Sequence, residues 1–460
     1  MQTSLDPKDF QTFVYKSFQF DDGCHSLQLH YALEGSGQRL NFTESIGIPS
    51  EDGPFVSDKS IWDGADRLGR LLFIACGLSY FNLAAPRNVR VEVPISGVEN
   101  QFLTTLFSKG LTEFAYSNNL PNALHPTIEA SQRIDPKPVK LANVLKKSDT
   151  PVVMIGGGKD SIVTIESLRS SGHDKQLLFS VNTFAPMQRT AEVASFPYIH
   201  AKRTLSPNLF ELDETQLYKR RHVPVTIIVS LVGVLTGILN GHSTVILSNE
   251  RSASVGNVTW EGVEVNHQWA KSLEAEKLLT DTLKQVVSLD ISCFSLLRPL
   301  SELRIARQFA KLTQYHAVFT SCNRSFRLDP SQRFHDWCDN CDKCRFVFLA
   351  LAPYLSKEEL LGIFGKDLLA DPSQLRGYQE LLGIVGHKPL ECVGELEETR
   401  LALELAKKTG NWDNVATFNQ LLKDLPESVM PTKTQVAEVF ETSSSHLIPG
   451  QFQGALDEIE

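Results

Sequence analysis

Five apolar residues, Pro151 to Ile155, run into Gly156, Gly157 and Gly158 and then into Lys-Asp-Ser and a helical pattern, in the stretch PVVMIGGGKDSIVTIESLRSSG. This junction constrains the fold more than any other part of the chain. A buried strand that turns through consecutive glycines into a helix gives the order strand, loop, helix, and the same rhythm returns downstream. The short apolar runs KQLLFSVN, STVILSNE and AVFTSC are separated by helical patterns such as VPVTIIVSLVGVLTGILN. Apolar runs without alternation belong to a parallel sheet covered on both faces. The spacing therefore predicts a doubly wound α/β domain over residues 146–345.

The flanks read differently. FVYKSFQFDDGCHSLQLHYALEG alternates apolar and polar residues on both sides of Asp-Asp-Gly, which predicts a hairpin whose turn tolerates positive φ. DRLGRLLFIACGLSYFNLAA has helical periodicity and NVRVEVPI returns to strand. Residues 1–145 are thus an α+β domain, joined through the polar, proline-bearing stretch SQRIDPKPVKLANVLKKSDT. Residues 346–460 read as a helical region, because CRFVFLALAPYLSKEELLGIFG, PSQLRGYQELLGIVG, EETRLALELAKKTG and DNVATFNQLLKDL carry caps or glycine stops.

Composition narrows the functional classes. A chain of 460 residues with 42% hydrophobic content can bury two or three cores. Its net charge of -9 argues against a sequence-independent grip on nucleic acid, which needs a basic surface. No stretch has the length and apolarity of a membrane span, and the N-terminal MQTSLDPKDFQTFVYKS is not a basic flank followed by an apolar run. A cytoplasmic protein with no membrane partner is expected. Nothing in the sequence sets an oligomeric state.

The glycine loop has a physical purpose. Leaving a buried strand, it exposes consecutive backbone N–H groups, and the following helix adds its positive end, so the two form an anion cradle. Phosphate is the expected guest. Gly156, Gly157 and Gly158 allow close approach, Ser161 offers a hydroxyl, and Lys159 or Asp160 would face the ligand or a magnesium ion. The Walker pattern does not fit, since aspartate follows Lys159. GGGKDS instead resembles the pyrophosphate loop of the ATP-pyrophosphatase families, with Gly156 where the first serine of Ser-Gly-Gly-x-Asp-Ser stands. That resemblance implies an adenine nucleotide alpha hydrolase-like fold and cleavage of ATP between the α- and β-phosphates. Asn182 and Ser248 are the further nucleotide contacts expected.

Eight cysteines, three of them within seven positions, suggest thiols used for metal or chemistry in a reducing compartment. Cys338, Cys341 and Cys344 stand at C-x-x-C-x-x-C spacing, and Cys322 ends an apparent strand. Four thiolates suit a tetrahedral zinc that would staple the sheet to the helical tail. The same spacing can hold an iron–sulfur cluster. The nitrile synthases of the same superfamily carry a similar four-cysteine zinc site.

A third signal is SNERSASVGNVTWEGVEVNHQWAKS, a polar run after the strand STVIL. Ser248, Asn249 and Glu250 fall at the carboxyl end of a parallel strand, where ligands of open α/β sheets sit. Glu250, Arg251, Asn257, Asn266, His267 and Lys271 add dense polar chemistry in a long loop.

Taken together, GGGKDS, SNERSAS, GVEVNHQWAKS, WCDNCDKCRFVFLALAP and ELLGIVGHKPLECVGELEE resemble the ATP-dependent UDP-N-acetylmuramoyl-L-alanyl-L-glutamate epimerases of bacterial peptidoglycan synthesis, from Phe10 to Pro449. The resemblance implies inversion of the terminal glutamate of the UDP-muramoyl dipeptide, with ATP and magnesium consumed to AMP and pyrophosphate. The chemistry is coherent: an α-hydrogen beside a carboxylate is poorly acidic, and adenylylation removes that obstacle. Candidate acid/base groups are His267, Lys271, Glu250 and Cys392, with Asp160 of the loop completing the catalytic set. A lone cysteine such as Cys392 is ordinarily a small core residue. The alternatives are an ATP-dependent amidating or thiolating enzyme acting on a nucleobase or tRNA, and a nucleotide-binding regulator without catalysis.

Overall fold

The computed structural model describes residues 6–147, 149–213, 222–327 and 330–459. Residues 1–5, which open the N-terminal stretch read above, lie outside the described residues. The N-terminal strands are β1 (Thr12–Phe20), β2 (Ser26–Gly35), β3 (Gln38–Gly47), β4 (Asn88–Val91) and β5 (Thr127–Ala130). The glycine loop leaves β6 (Val152–Met154), and β7 (Leu177–Val181), β8 (Tyr198–Thr204) and β9 (Thr244–Leu247) follow. A small pair, β10 (Val258–Trp260) and β11 (Val263–Val265), precedes β12 (Ser292–Ser295).

Ten of these strands form one sheet in the order β12-β9-β6-β7-β8-β3-β2-β1-β4-β5. The half from β12 to β8 is parallel throughout, and β1, β4 and β5 are parallel to one another at the far edge. Antiparallel pairing of β3 with β8, through Ser45 to Gly47 and Lys202 to Thr204, welds the N-terminal strands to the parallel half. The fold is mixed α/β with a mostly parallel sheet and a helical C-terminal region, as read from the sequence.

The two faces of the parallel half are covered by different helices. Successive strand residues point to opposite faces. Val152 and Met154 accordingly join the core of the helices Lys59–Phe81 and Val225–Leu239, while Val153 and Ile155 join that of Lys159–Ser170, Glu302–Ala310 and Asp342–Leu351. Each fully buried Leu, Ile or Val contributes about 1.5–3 kcal/mol. That burial explains why these strands carry no polar alternation.

Four local expectations are corrected. AVFTSC is not a strand: the backbone of Thr320 donates to the Gly157 carbonyl (3.0 Å) instead of joining a ladder, and β12 takes the place beside β9. Cys322 therefore ends an extended segment stapled beneath the glycine loop. In the Asp-Asp-Gly hairpin the positive φ falls on Cys24 (54°) and not on the glycine. Among its described residues the connector over 131–150 lacks helix and strand but is packed, with Leu141 and Ala142 donating to the Asp290 carboxylate at 2.7 and 2.9 Å. The polar loop after β9 contains the β10–β11 hairpin, whose turn residues Glu261 and Gly262 both have positive φ, the pairing that suits a tight two-residue turn.

Candidate active site

The glycine loop takes the geometry its composition allows. Gly157 has φ +74°, and a Cβ there would lie 2.8 Å from the Pro186 backbone. Gly158 caps the helix Lys159–Ser170, and its own Cβ would meet the Ser321 hydroxyl at 2.7 Å. Gly156 is exposed with open space where a side chain would project, so the serine of the related loops would fit.

The two charged residues after the glycines diverge. Lys159 is fully buried and its ammonium contacts both Asp160 and Glu302. Burial opposes that charge, but the two carboxylates outweigh it and hold Lys159 above the ordinary lysine range. Asp160 stays partly exposed. Burial works against its ionisation too, yet Lys159, Lys343 and Lys271 keep its carboxyl below the usual range. Glu302 is raised by burial, with Lys159 opposing. Lys159 is thus a staple behind the loop, and Asp160 is the charge presented at its mouth. Ser161 turns its hydroxyl back to the Gly158 carbonyl (3.1 Å).

Asn182, at the carboxyl end of β7 with φ +58°, accepts from the Arg203 backbone at 2.9 Å. It lines a cavity of about 640 Å³ with Val181, Phe184, Thr204 and Phe326. Ser248, just past β9, has a buried hydroxyl without a partner among the described residues. Glu250 follows, buried, with Oε1 accepting from Ser252 and Oε2 without a partner among the described residues.

The polar run is organised by hydrogen bonds. Asn257 accepts from the His267 backbone (2.9 Å) and donates to the Pro389 carbonyl (2.7 Å). Asn266 shapes the turn into His267, bonding Ala253 and Gln268. Buried Arg298 contacts the carbonyls of Glu250 and Lys271 and the carboxylate of Glu276, fixing both active-site segments together. Arg251 instead reaches the C-terminal carbonyls of Val439 and Glu441.

These contacts bring His267, Lys271 and Cys392 together. Lys271 Nζ lies 3.2 Å from Cys392 Sγ, and His267, Glu391 and Cys392 place their ligand atoms within 4.8 Å of one another. His267 Nδ1 is 2.5 Å from Glu113, which the helix Thr112–Asn118 supplies from the N-terminal half. His222 shares the same carboxylate at 3.3 Å. Cys392 is partly exposed, not a core residue. Burial would push its thiol up, but Lys271, and then His267, bring it down to about 7. Burial likewise disfavours charge on His267, yet Cys392 and Glu113 on its two sides lift it to about 10. The Cys392 sulfur, ahead of opposing burial, raises Lys271 above the ordinary range, with Glu250 adding to it. His222 is lowered by burial to about 4 in spite of Glu113.

The four other cysteines converge as their spacing suggested. The Sγ atoms of Cys322 and Cys341 are 4.0 Å apart, Cys338 and Cys344 3.8 Å, and Cys341 and Cys344 3.5 Å. Thiolates held ~2.3 Å from one tetrahedral zinc stand about 3.8 Å apart, so the cluster fits that ion. It touches the site by two arms. Asn323, next to Cys322, donates to Glu391 (2.5 Å), and Lys343, next to Cys344, lies 3.8 Å from Glu302.

Glu113 and Glu302 carry no motif of their own, and Lys343 and Glu391 lie inside quoted motifs without being singled out there. The fold brings all four to the site, and no sequence spacing announces Glu113 or Glu302.

The family model of the MurL N-terminal domain matches residues 4–296, and that of the MurL C-terminal domain matches residues 318–436. The chain belongs to the MurL family. Among its relatives, a Micromonospora sp. protein named UDP-N-acetyl-alpha-D-muramoyl-L-alanyl-L-glutamate epimerase is 41% identical over 446 residues, covering 96% of this chain and 97% of its own. A protein of the same name from Salinispora tropica is 40% identical, covering 96% and 95%, and one from Xanthomonas oryzae pv. oryzae is 36% identical, covering 97% of each chain. No solved structure matches. The MurL N-terminal match runs through β12, so Glu113, the glycine loop and His267 belong to one matched region, and Cys392 and all four clustered cysteines to the other. Among the described residues no helix is long and apolar enough to cross a membrane.

Proposed function

We propose that the chain inverts the α-carbon of the terminal L-glutamate of UDP-N-acetylmuramoyl-L-alanyl-L-glutamate, at the expense of ATP. The observation that carries this reading is the Lys271, His267 and Cys392 cluster, tied through Arg298 to Glu250 just past β9, whose parallel neighbour β6 delivers the glycine loop to the same edge of the sheet. A phosphate cradle and a proton-transfer cluster then lie at one edge of the sheet. The relatives named as this epimerase, similar over nearly the full chain, supply the substrate class.

The order of events follows from acidity. The glutamate carboxylate attacks the α-phosphorus of ATP, pyrophosphate leaves, and the glutamyl adenylate no longer carries the charge that opposed deprotonation. The α-proton is then removed and a proton returns on the other face. Water cleaves the mixed anhydride, giving the D-glutamyl product and AMP. In this reading Gly156 to Gly158 and Ser161 hold the departing pyrophosphate, Asp160 binds the magnesium that offsets phosphate charge, and Asn182 and Ser248 contact the nucleotide. The parallel half is then of the adenine nucleotide alpha hydrolase type. Zinc in the cysteine cluster would fix Asn323 and Lys343 without taking part in the reaction. The UDP-muramoyl part lies beside the reacting glutamate, against the N-terminal half and the HKPLECVGE segment that also carries Cys392.

The test is incubation with the L-dipeptide, ATP and magnesium, with pyrophosphate release and glutamate chirality followed together. The expected result is pyrophosphate formed only with dipeptide present, and D-glutamate in the product. Pyrophosphate without inversion would overturn the reading.

A further inference from the structure

We propose that Cys392 is the group that takes the α-proton of the activated glutamate, positioned by Lys271 and by a His267–Glu113 pair that reaches in from the N-terminal half. This assignment rests on the epimerase reading above.

The geometry first removes the competitors. A base must arrive without its proton. Lys271 lies 3.2 Å from Cys392 Sγ, and His267 stands between the sulfur and the Glu113 carboxylate at 2.5 Å. Each of the two sits against an anionic partner that favours its charged form, so neither has a lone pair to offer. The sulfur facing two cations is the acceptor. The contrast with the other cysteines outside the metal cluster is marked. Cys24 is pushed by burial up to about 11, and Cys76 and Cys293 are also raised chiefly by burial, whereas Cys392 falls to about 7. A thiol near 7 is half ionised at neutral pH, where a base of matched strength works best. Cys392 is itself partly exposed.

The step balances. The Cα–H bond breaks, its electron pair moves into the carbonyl of the adenylate as an enolate, and the proton goes to Sγ. The enolate takes a different proton on its opposite face, which restores the C–H bond with inverted configuration, and Cys392 gives its proton to solvent. Glu250, beside Lys271 in the electrostatics of the site, keeps one carboxylate oxygen without a partner among the described residues. The groups facing the sulfur are Lys271 and His267 from the segment after β11, Lys343 from the helix Asp342–Leu351, and Glu391 from its own loop, with Glu113 and His222 behind His267.

The experiment uses the full chain with the L-dipeptide, ATP and magnesium in deuterated water. Cys392→Ala and Cys392→Ser should still release pyrophosphate, while α-hydrogen exchange falls by at least about 100-fold, the lower end of what a positioned base supplies. Glu113→Gln tests the positioning pair. Without that carboxylate His267 loses its proton more readily, the sulfur loses a cation, and the acid limb of the exchange rate, expected near pH 7 in the native chain, moves to higher pH. Glu113→Asp should restore it. Alkylation of Cys392 in the native chain by iodoacetamide, read by mass spectrometry, should show the same midpoint and needs no variant to fold. Exchange at the native rate in a folded Cys392→Ala chain would overturn the assignment, as would an alkylation midpoint at an ordinary thiol value of about 8.5. Both outcomes leave the epimerase reading intact, whereas a native chain that releases no pyrophosphate overturns that reading itself.

Discussion

Lys159 and Asp160, neighbours in the chain, do opposite work. Removing Asp160 takes away the exposed charge of the loop but leaves Lys159 paired with Glu302. Asp160→Ala should therefore abolish pyrophosphate release while the circular dichroism spectrum and urea midpoint stay near native; full turnover would contradict the loop's role. Lys159→Ala leaves buried Glu302 with only the more distant Lys343 at 3.8 Å, and breaking such a buried pair costs about 3–5 kcal/mol. Urea unfolding should show that loss, and an unchanged midpoint would mean the contact is unimportant. Gly157 was legible from sequence as a residue needing backbone freedom, and its positive φ and close approach to Pro186 supply the reason. The direction of Lys159 was not legible, because its partner Glu302 lies 143 residues away. Cys392 looked like a core residue for the same reason: the cations that define it come from other elements.

Among the elements, the strands β6, β7 and β9 were readable as uninterrupted apolar runs, and the C-terminal helices from their caps. Strand β8 was missed because YIHAKRT is mostly polar and only Ala201 is buried, at the junction of the two halves, and β12 because ISCFSLL merges into the turn that follows. AVFTSC has strand composition, yet its backbone is used by the glycine loop. The cysteine cluster was legible as spacing; that it steadies Asn323 and Lys343 was not. The purified chain should contain about one zinc per molecule, as a four-thiolate site holds, and Cys344→Ser should lose it. Turnover should fall with the metal, since the Asn323–Glu391 contact beside Cys392 depends on that loop. Elemental analysis alongside the epimerase assay checks both, and a metal-free chain of native activity would contradict the link.

At the scale of the whole molecule, the pairing of β3 with β8 makes one continuous sheet of the N-terminal strands and the parallel half. The helix Lys59–Phe81 covers the helix Val225–Leu239, and Glu113 reaches His267. A chain beginning at Leu141 would expose the β8 edge and that apolar helix face, so it should show no cooperative thermal transition; a folded fragment that still bound the nucleotide dipeptide normally would contradict this. The sequence rhythm indicated separate α+β and α/β regions, because edge-to-edge pairing through three residues leaves no mark in composition. The central claim is that activation by ATP precedes loss of the α-proton. It is tested most directly by holding the native chain with the L-dipeptide in deuterated water, with and without ATP and magnesium, and analysing the glutamate for chirality and mass. Deuterium at the α-carbon and D-configuration should appear only when ATP and magnesium are present. Exchange without ATP would show that an unactivated carboxylate is deprotonated, and would contradict the claim.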